Sequence, residues 1–180
     1  MTAYVALLRA VNVGGTGKLP MSELVALCED AGFQAVRTYI ASGNVVFSSP
    51  RRATEVHRLL VTRLEAHVGK PVGVHLRTAA EIQAVLDENP FKNAAPNRTV
   101  ALFLDATPPR DVLAQVKGQA GEQLALGRRE IYVSYGKRMA DSKLKIPGAA
   151  SGTARNMNTV ARLAAMASAI GQMSKGSGRS

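Results

Sequence analysis

The residues best suited to handle charge gather late in the chain. Lys143, Lys145, Thr153, Arg155 and Asn156 lie close together in sequence, and Thr153 is expected to cap a helix running from about Thr153 to Ala169. A helix start offers free N–H groups and the positive end of a dipole. With Arg155 beside it and Lys143 and Lys145 just upstream, it would make a ready phosphate site. The competing reading is a capped helix with ordinary solvated cations. Charge favours attention to this region: residues 128–180 carry 10 basic and 2 acidic side chains, whereas residues 1–127 carry 13 and 11. The net charge of +10 therefore belongs mainly to the last third. The partner expected from this is a phosphorylated small molecule or a nucleic-acid backbone.

A second set of polar residues lies near the start. The loop Gly14-Gly15-Thr16-Gly17-Lys18 follows an apolar run and precedes a helical pattern, as a phosphate-binding loop does. It fails the Walker pattern, because Asn12 stands where the first Gly belongs and Leu19 where Ser or Thr belongs. It fails the dinucleotide fingerprint at Pro20. Arg9 and Asn12 at the end of the apolar run, Lys18, and Ser42 and Asn44 at a turn form an alternative pocket, that of an enzyme of unknown reaction between two halves. The structural reading is a paired Arg and a turn in which Gly43 and Asn44 tolerate positive φ. His57, His67 and His75 have no metal-ligand spacing and no link to a nucleophile. Neither metal nor cofactor is expected.

The elements that must position these groups can be read from periodicity. Residues 3–11 form a near-continuous apolar run, the mark of a strand buried on both faces. Pro20 opens a helical stripe of Met21, Leu24, Val25, Cys28 and Ala31, which Gly32 ends. Val36–Ile40 and Val45–Phe47 flank a turn cluster and read as a hairpin. A helix over 54–68 stops at Gly69, and 71–77 reads as a strand. The order is βαββαβ, so the spacing predicts an α+β protein whose first half, 1–77, is ferredoxin-like. Thr78 and Glu81 have capping-box spacing for a third helix, which Asn89-Pro90 stops; residues 78–98 are this helix and a linker. A smaller βαββα half is expected over 99–170, with a strand at 99–105, a helix from Pro108 to about Lys117, a hairpin of 123–126 with 130–135, and the C-terminal helix. Residues 171–180 read as a disordered basic tail.

Composition bounds the rest. Hydrophobic residues are 46% of the chain, there is no Trp, and Phe and Tyr number four each. The core must be mostly aliphatic, with few rings for stacking bases. One cysteine cannot form an internal disulfide. No signal peptide is evident, and no run nears the roughly 18 apolar residues needed to span a bilayer. A cytoplasmic location without membrane contact is expected; oligomeric state is left open.

Three blocks carry a family likeness: Leu8-Arg9-Ala10-Val11-Asn12-Val13-Gly14-Gly15, the stretch from Arg37 to Phe47 (RTYIASGNVVF), and Thr153-Ala154-Arg155-Asn156-Met157-Asn158-Thr159-Val160. With Asn89-Pro90-Phe91 and Ser142-Lys143-Leu144 they resemble the bacterial family known as domain of unknown function 1697, over residues 3 to about 168. The resemblance implies an α/β fold with ferredoxin-like parts and no established activity. The last block departs from the family's usual Arg-Asn-Trp-Asn-Thr-Val by placing Met157 at the Trp position. Met fills apolar space but offers neither an indole N–H nor a flat ring, so any role needing that Trp is in doubt.

Overall fold

The computed structural model describes residues 1–11 and 18–176. It is a mixed α+β protein with two four-stranded antiparallel sheets, divided into two compact units: Met1–Gln83 with the chain from Arg162 onward, and Ala84–Ala161.

The first unit is built on β1 (Thr2–Arg9), α1 (Met21–Asp30), β2 (Gln34–Thr38), β3 (Asn44–Ser49), α2 (Ala53–Val68) and β4 (Gly73–Thr78). Its sheet order is β2-β3-β1-β4, so β3 is inserted between β1 and β2, the strands that α1 connects. The apolar run predicted a strand buried on both sides, and Ala3 through Leu8 are all buried. Tyr4, Ala6 and Leu8 belong to a core with Leu24, Cys28, Val56, Leu60 and Leu64 from α1 and α2. Phe33 stacks on Phe47, with ring centroids 4.3 Å apart. Cys28 is a core residue, and burial pushes its thiol up to about 12. Val5 and Leu7 face the other way, in register with Arg77 and His75, which are also buried.

Local signals set the boundaries. The Pro20 carbonyl accepts the first helical bonds, from the Glu23 and Leu24 amides at 3.0 and 3.1 Å. Gly69 closes α2 in the left-handed region at φ 84°, where a side chain would be strained. Thr78 and Glu81 form the reciprocal pair their spacing predicts. The Thr78 amide donates to the Glu81 carboxylate at 2.9 Å, and the Glu81 amide donates to Thr78 Oγ1 at 3.2 Å. They open α3 (Ala79–Asp87).

The second unit departs from the expected βαββα order. It contains β5 (Thr99–Phe103), β6 (Gln123–Leu126), β7 (Glu130–Ser134) and β8 (Thr153–Asn156), in the sheet order β6-β7-β5-β8. The predicted helix from Pro108 to Lys117 is absent; only a 3-10 turn, Val112–Gln115, forms. Two prolines remove N–H donors, and Val112 is the turn's one buried residue, so no apolar stripe rewards a longer helix. The predicted helix start at Thr153 is also corrected. Residues Thr153–Asn156 pair with β5, Thr153 opposite Phe103 and Asn156 opposite Val100. The helix α4 runs instead over Met157–Gly176. It therefore extends into the stretch expected as a disordered tail, of which residues 177–180 lie outside the described residues.

Removing the Phe47 ring deletes a fully buried side chain and its stacked partner contact. Phe47→Ala is expected to cost about 3–5 kcal/mol, read as a lower urea midpoint at unchanged slope.

Candidate anion site

One face of the second sheet has no α-helix over it. Val100 and Leu102 of β5 and Ile131 and Val133 of β7 are covered by irregular chain, including Val112, Leu113, Leu144, Ile146 and Ala149. Irregular chain fills space less completely than a helix with a regular stripe. A cavity of 510 Å³ remains there, walled by Leu102, Tyr135, Leu144 and Ile146, with Lys117 and Lys145 also contributing to its lining.

Three devices hold the covering segment in place. Lys117 and Lys145 exchange both backbone hydrogen bonds, at 2.9 and 2.8 Å, as an isolated antiparallel bridge. Gly118 sits at φ 70°, and a Cβ there would collide with the Lys143 carbonyl. The buried Glu122 carboxylate accepts from Ser142 Oγ at 2.6 Å and from the Ala120 amide. The Ser142 hydroxyl, then the Ala120 amide, hold its carboxyl below the ordinary value of 4.5.

This anchoring sets the electrostatics. Directly opposed residues of an antiparallel bridge project to the same side, with Cβ atoms roughly 4.5–5.5 Å apart. The two lysine side chains, both exposed, thus leave the backbone side by side on one face. Neither ammonium is paired with a carboxylate among the described residues. Tyr135 lies beside them with its hydroxyl protonated at neutral pH, since burial and then Glu122 raise its pKa. Two cations, one neutral hydroxyl and an apolar wall can hold an anionic head on a nonpolar body.

Of the residues singled out in sequence, Lys145 lies at this cavity. Lys143 is exposed, and its carbonyl packs against Gly118. Thr153 is a strand residue and does not cap the helix; Asn156 does, its Oδ1 accepting from the Thr159 amide at 2.9 Å. Arg155 is buried, and its guanidinium turns back to donate to Thr153 Oγ1 at 2.7 Å and the Ala154 carbonyl at 3.0 Å. Burial pulls its pKa down to about 10, so it remains charged at neutral pH. Nothing in sequence marks Lys117 or Tyr135, which also line this cavity, because periodicity places Lys117 at the end of a helix.

In the first unit, the buried Asn44 amide donates to Ser42 Oγ and to the Tyr39 carbonyl, both at 3.0 Å. Gly43, at φ 81°, presses against Leu8 and Val11, and its carbonyl accepts from the Leu8 amide at 2.8 Å. Ile40 and Ala10 also occupy the left-handed region, at φ 51° and 59°, a costly conformation for a β-branched side chain. Arg9 and Lys18 are exposed. Asn12 and most of the glycine-rich loop lie outside the described residues. Among the described residues no cluster of His, Cys, Asp and Glu could hold a metal ion, and no helix is long and apolar enough to cross a membrane.

The chain belongs to the family described as "Protein of unknown function (DUF1697)", whose model matches residues 1–132. The matched span contains the first two sequence blocks; the block at 153–160 lies beyond it. Among solved structures, the chain is similar to a conserved bacterial protein, SP0830, from Streptococcus pneumoniae. The identity is 26% and the TM-score 0.78, over 92% of this chain and 98% of that one. No curated protein matches.

Two predictions test the anchoring. Gly118→Ala combines a left-handed backbone with the Lys143 collision and is expected to lose about 1–3 kcal/mol. Gly121→Ala, at φ 95° with no atom within 4 Å, should lose less in the same urea titration. Folding lowers the Glu122 pKa, so its contribution to stability is complete above the ordinary value of 4.5 and is lost as pH falls through the folded value. Thermal midpoints of the native chain should drop across that acidic range, and Glu122→Gln should flatten the drop.

Proposed function

We propose that the second unit binds a phosphorylated small molecule, held by Lys117, Lys145 and Tyr135 over the cavity walled by Leu102, Leu144 and Ile146. The observation that carries this reading is the bridged lysine pair lining an apolar cavity, neither lysine in an ion pair with a carboxylate among the described residues. Opposed like charges cost stability, and a phosphate between them reverses the sign of the interaction. The cavity volume of 510 Å³ is within the range of about 300–1,000 Å³ usual for small-ligand sites. This moves the ligand from the helix start expected in sequence to the bridge, and keeps Lys145 as the shared residue. The same reading takes the first unit's strand order as ferredoxin-like and the protein as cytoplasmic, which suits a chain with one buried thiol.

The test is calorimetry with a panel of phosphomonoesters at low salt. Lys117→Ala and Lys145→Ala should each weaken binding about 10- to 100-fold, as expected for a charge-assisted hydrogen bond worth about 1.5–3 kcal/mol. Lys143→Ala should leave it unchanged. Equal losses for all three would point to diffuse surface charge, and tighter binding of short single-stranded RNA, with a steep salt dependence, would favour the nucleic-acid backbone as the partner.

A further inference from the structure

We infer that the ligand of this site is an aliphatic phosphomonoester: a dianionic head on an unbranched or branched alkyl body, as opposed to a nucleotide or a carboxylate. The inference rests on the proposed anion site and names its ligand class. Two features of the cavity carry it. The first is the head group. Lys117 and Lys145 are fixed opposite one another by paired backbone bonds and both line the same cavity, so two exposed lysines lie within reach of one ligand head. A phosphomonoester, with a charge of about −1.5 to −2 near neutral pH, matches both. A carboxylate brings one charge and leaves one lysine unpaired.

The second feature is the wall. Leu102, Leu144 and Ile146 pack against the aliphatic cluster on the face of the second sheet that irregular chain covers. Their side chains offer dispersion contacts and water exclusion to CH₂ groups and carry no hydrogen-bonding atoms to read the edge of a base. Tyr135 is the sole aromatic lining the cavity among the described residues, so a nucleobase finds no second ring to enclose it. The chain's lack of Trp is consistent with that.

The experiment titrates the full chain with inorganic phosphate, methyl, butyl and hexyl phosphate, hexanoate and adenosine monophosphate, following the Lys117 and Lys145 amides by NMR and affinity by calorimetry. Affinity should rise about two- to fourfold per methylene along the alkyl series, the gain expected for partial to full burial of each CH₂. Hexanoate and adenosine monophosphate should bind at least tenfold more weakly than hexyl phosphate. Ile146→Ala should reduce the chain-length dependence while leaving inorganic phosphate affinity unchanged. Inorganic phosphate binding as tightly as hexyl phosphate would overturn the alkyl class and leave the anion site standing. Adenosine monophosphate or hexanoate matching hexyl phosphate would overturn it likewise. No response of either lysine amide to any anion would remove the site itself, and the inference with it.

Discussion

The carboxylate of Glu122 ties down the chain that takes the place of a helix over the second sheet. It accepts from Ser142 on one side and Ala120 on the other, and so joins the segment after Lys117 to the segment before Lys145. Without that tie, the two lysines would be flexible cations on separate loops. With it, and with Gly118 admitting the Lys143 carbonyl at close range, the backbone bridge between Lys117 and Lys145 forms and the cavity acquires a rim. A carboxylate hydrogen-bonded within the anchor thereby sets the backbone from which the two lysines project. Glu122 keeps its negative charge, which reaches Tyr135 at the cavity and helps to raise that hydroxyl's pKa, but it forms no ion pair with either lysine among the described residues.

Magnitudes decide how that pair should be read. Two ammonium groups brought to about 5 Å, as one ligand head contacting both would require, repel by roughly 1 kcal/mol in bulk water and roughly 3 kcal/mol at the effective dielectric of a protein surface. An exposed lysine relieves part of this by moving its ammonium, so the cost in the unliganded protein is at the lower end. It is nonetheless unfavourable, whereas surface ion pairs elsewhere, such as Arg51 with Glu55, have the opposite sign. A dianion seated between the two ammonium groups adds two attractions that outweigh the one repulsion. The apolar wall strengthens both by excluding water from one side.

The two units differ in how much of them is legible from sequence, for a definite physical reason. In the first, each strand and helix carries its own signal: the unbroken apolar run of β1, the stripe through Leu24 and Cys28, the left-handed glycine at Gly69, the reciprocal Thr78–Glu81 bonds. These are local, and local signals survive in a linear reading. In the second unit the decisive contacts are not local. Lys117 meets Lys145 across 28 positions of sequence, and nothing in either segment's periodicity marks an isolated bridge. Thr153 suits an N-cap by sequence, because an apolar stripe follows it, yet it lies in a strand. Asn156 has the same capacity three residues later, and pairing with β5 settles which one is used. Charge density, a compositional signal, draws attention to Lys145, whereas periodicity places Lys117 in a helix that two prolines and a missing stripe do not allow.

The same contrast bears on how a ligand acts on this protein. A face covered by a regular helix gains its stability from a continuous stripe of contacts and opens only with the whole domain. The second sheet's face is covered by 3-10 turns and a two-residue bridge, with few backbone bonds of its own, and such segments occupy the low end of the local-stability range. Local opening there removes Lys145, Leu144 and Ile146 from the cavity together. A ligand that needs all three binds only the closed arrangement, so occupancy and local stability are linked. Met157, at the position where the resemblance implies Trp, is buried at the start of α4 and does not line this cavity. The absence of an indole at that position therefore takes nothing directly from the site.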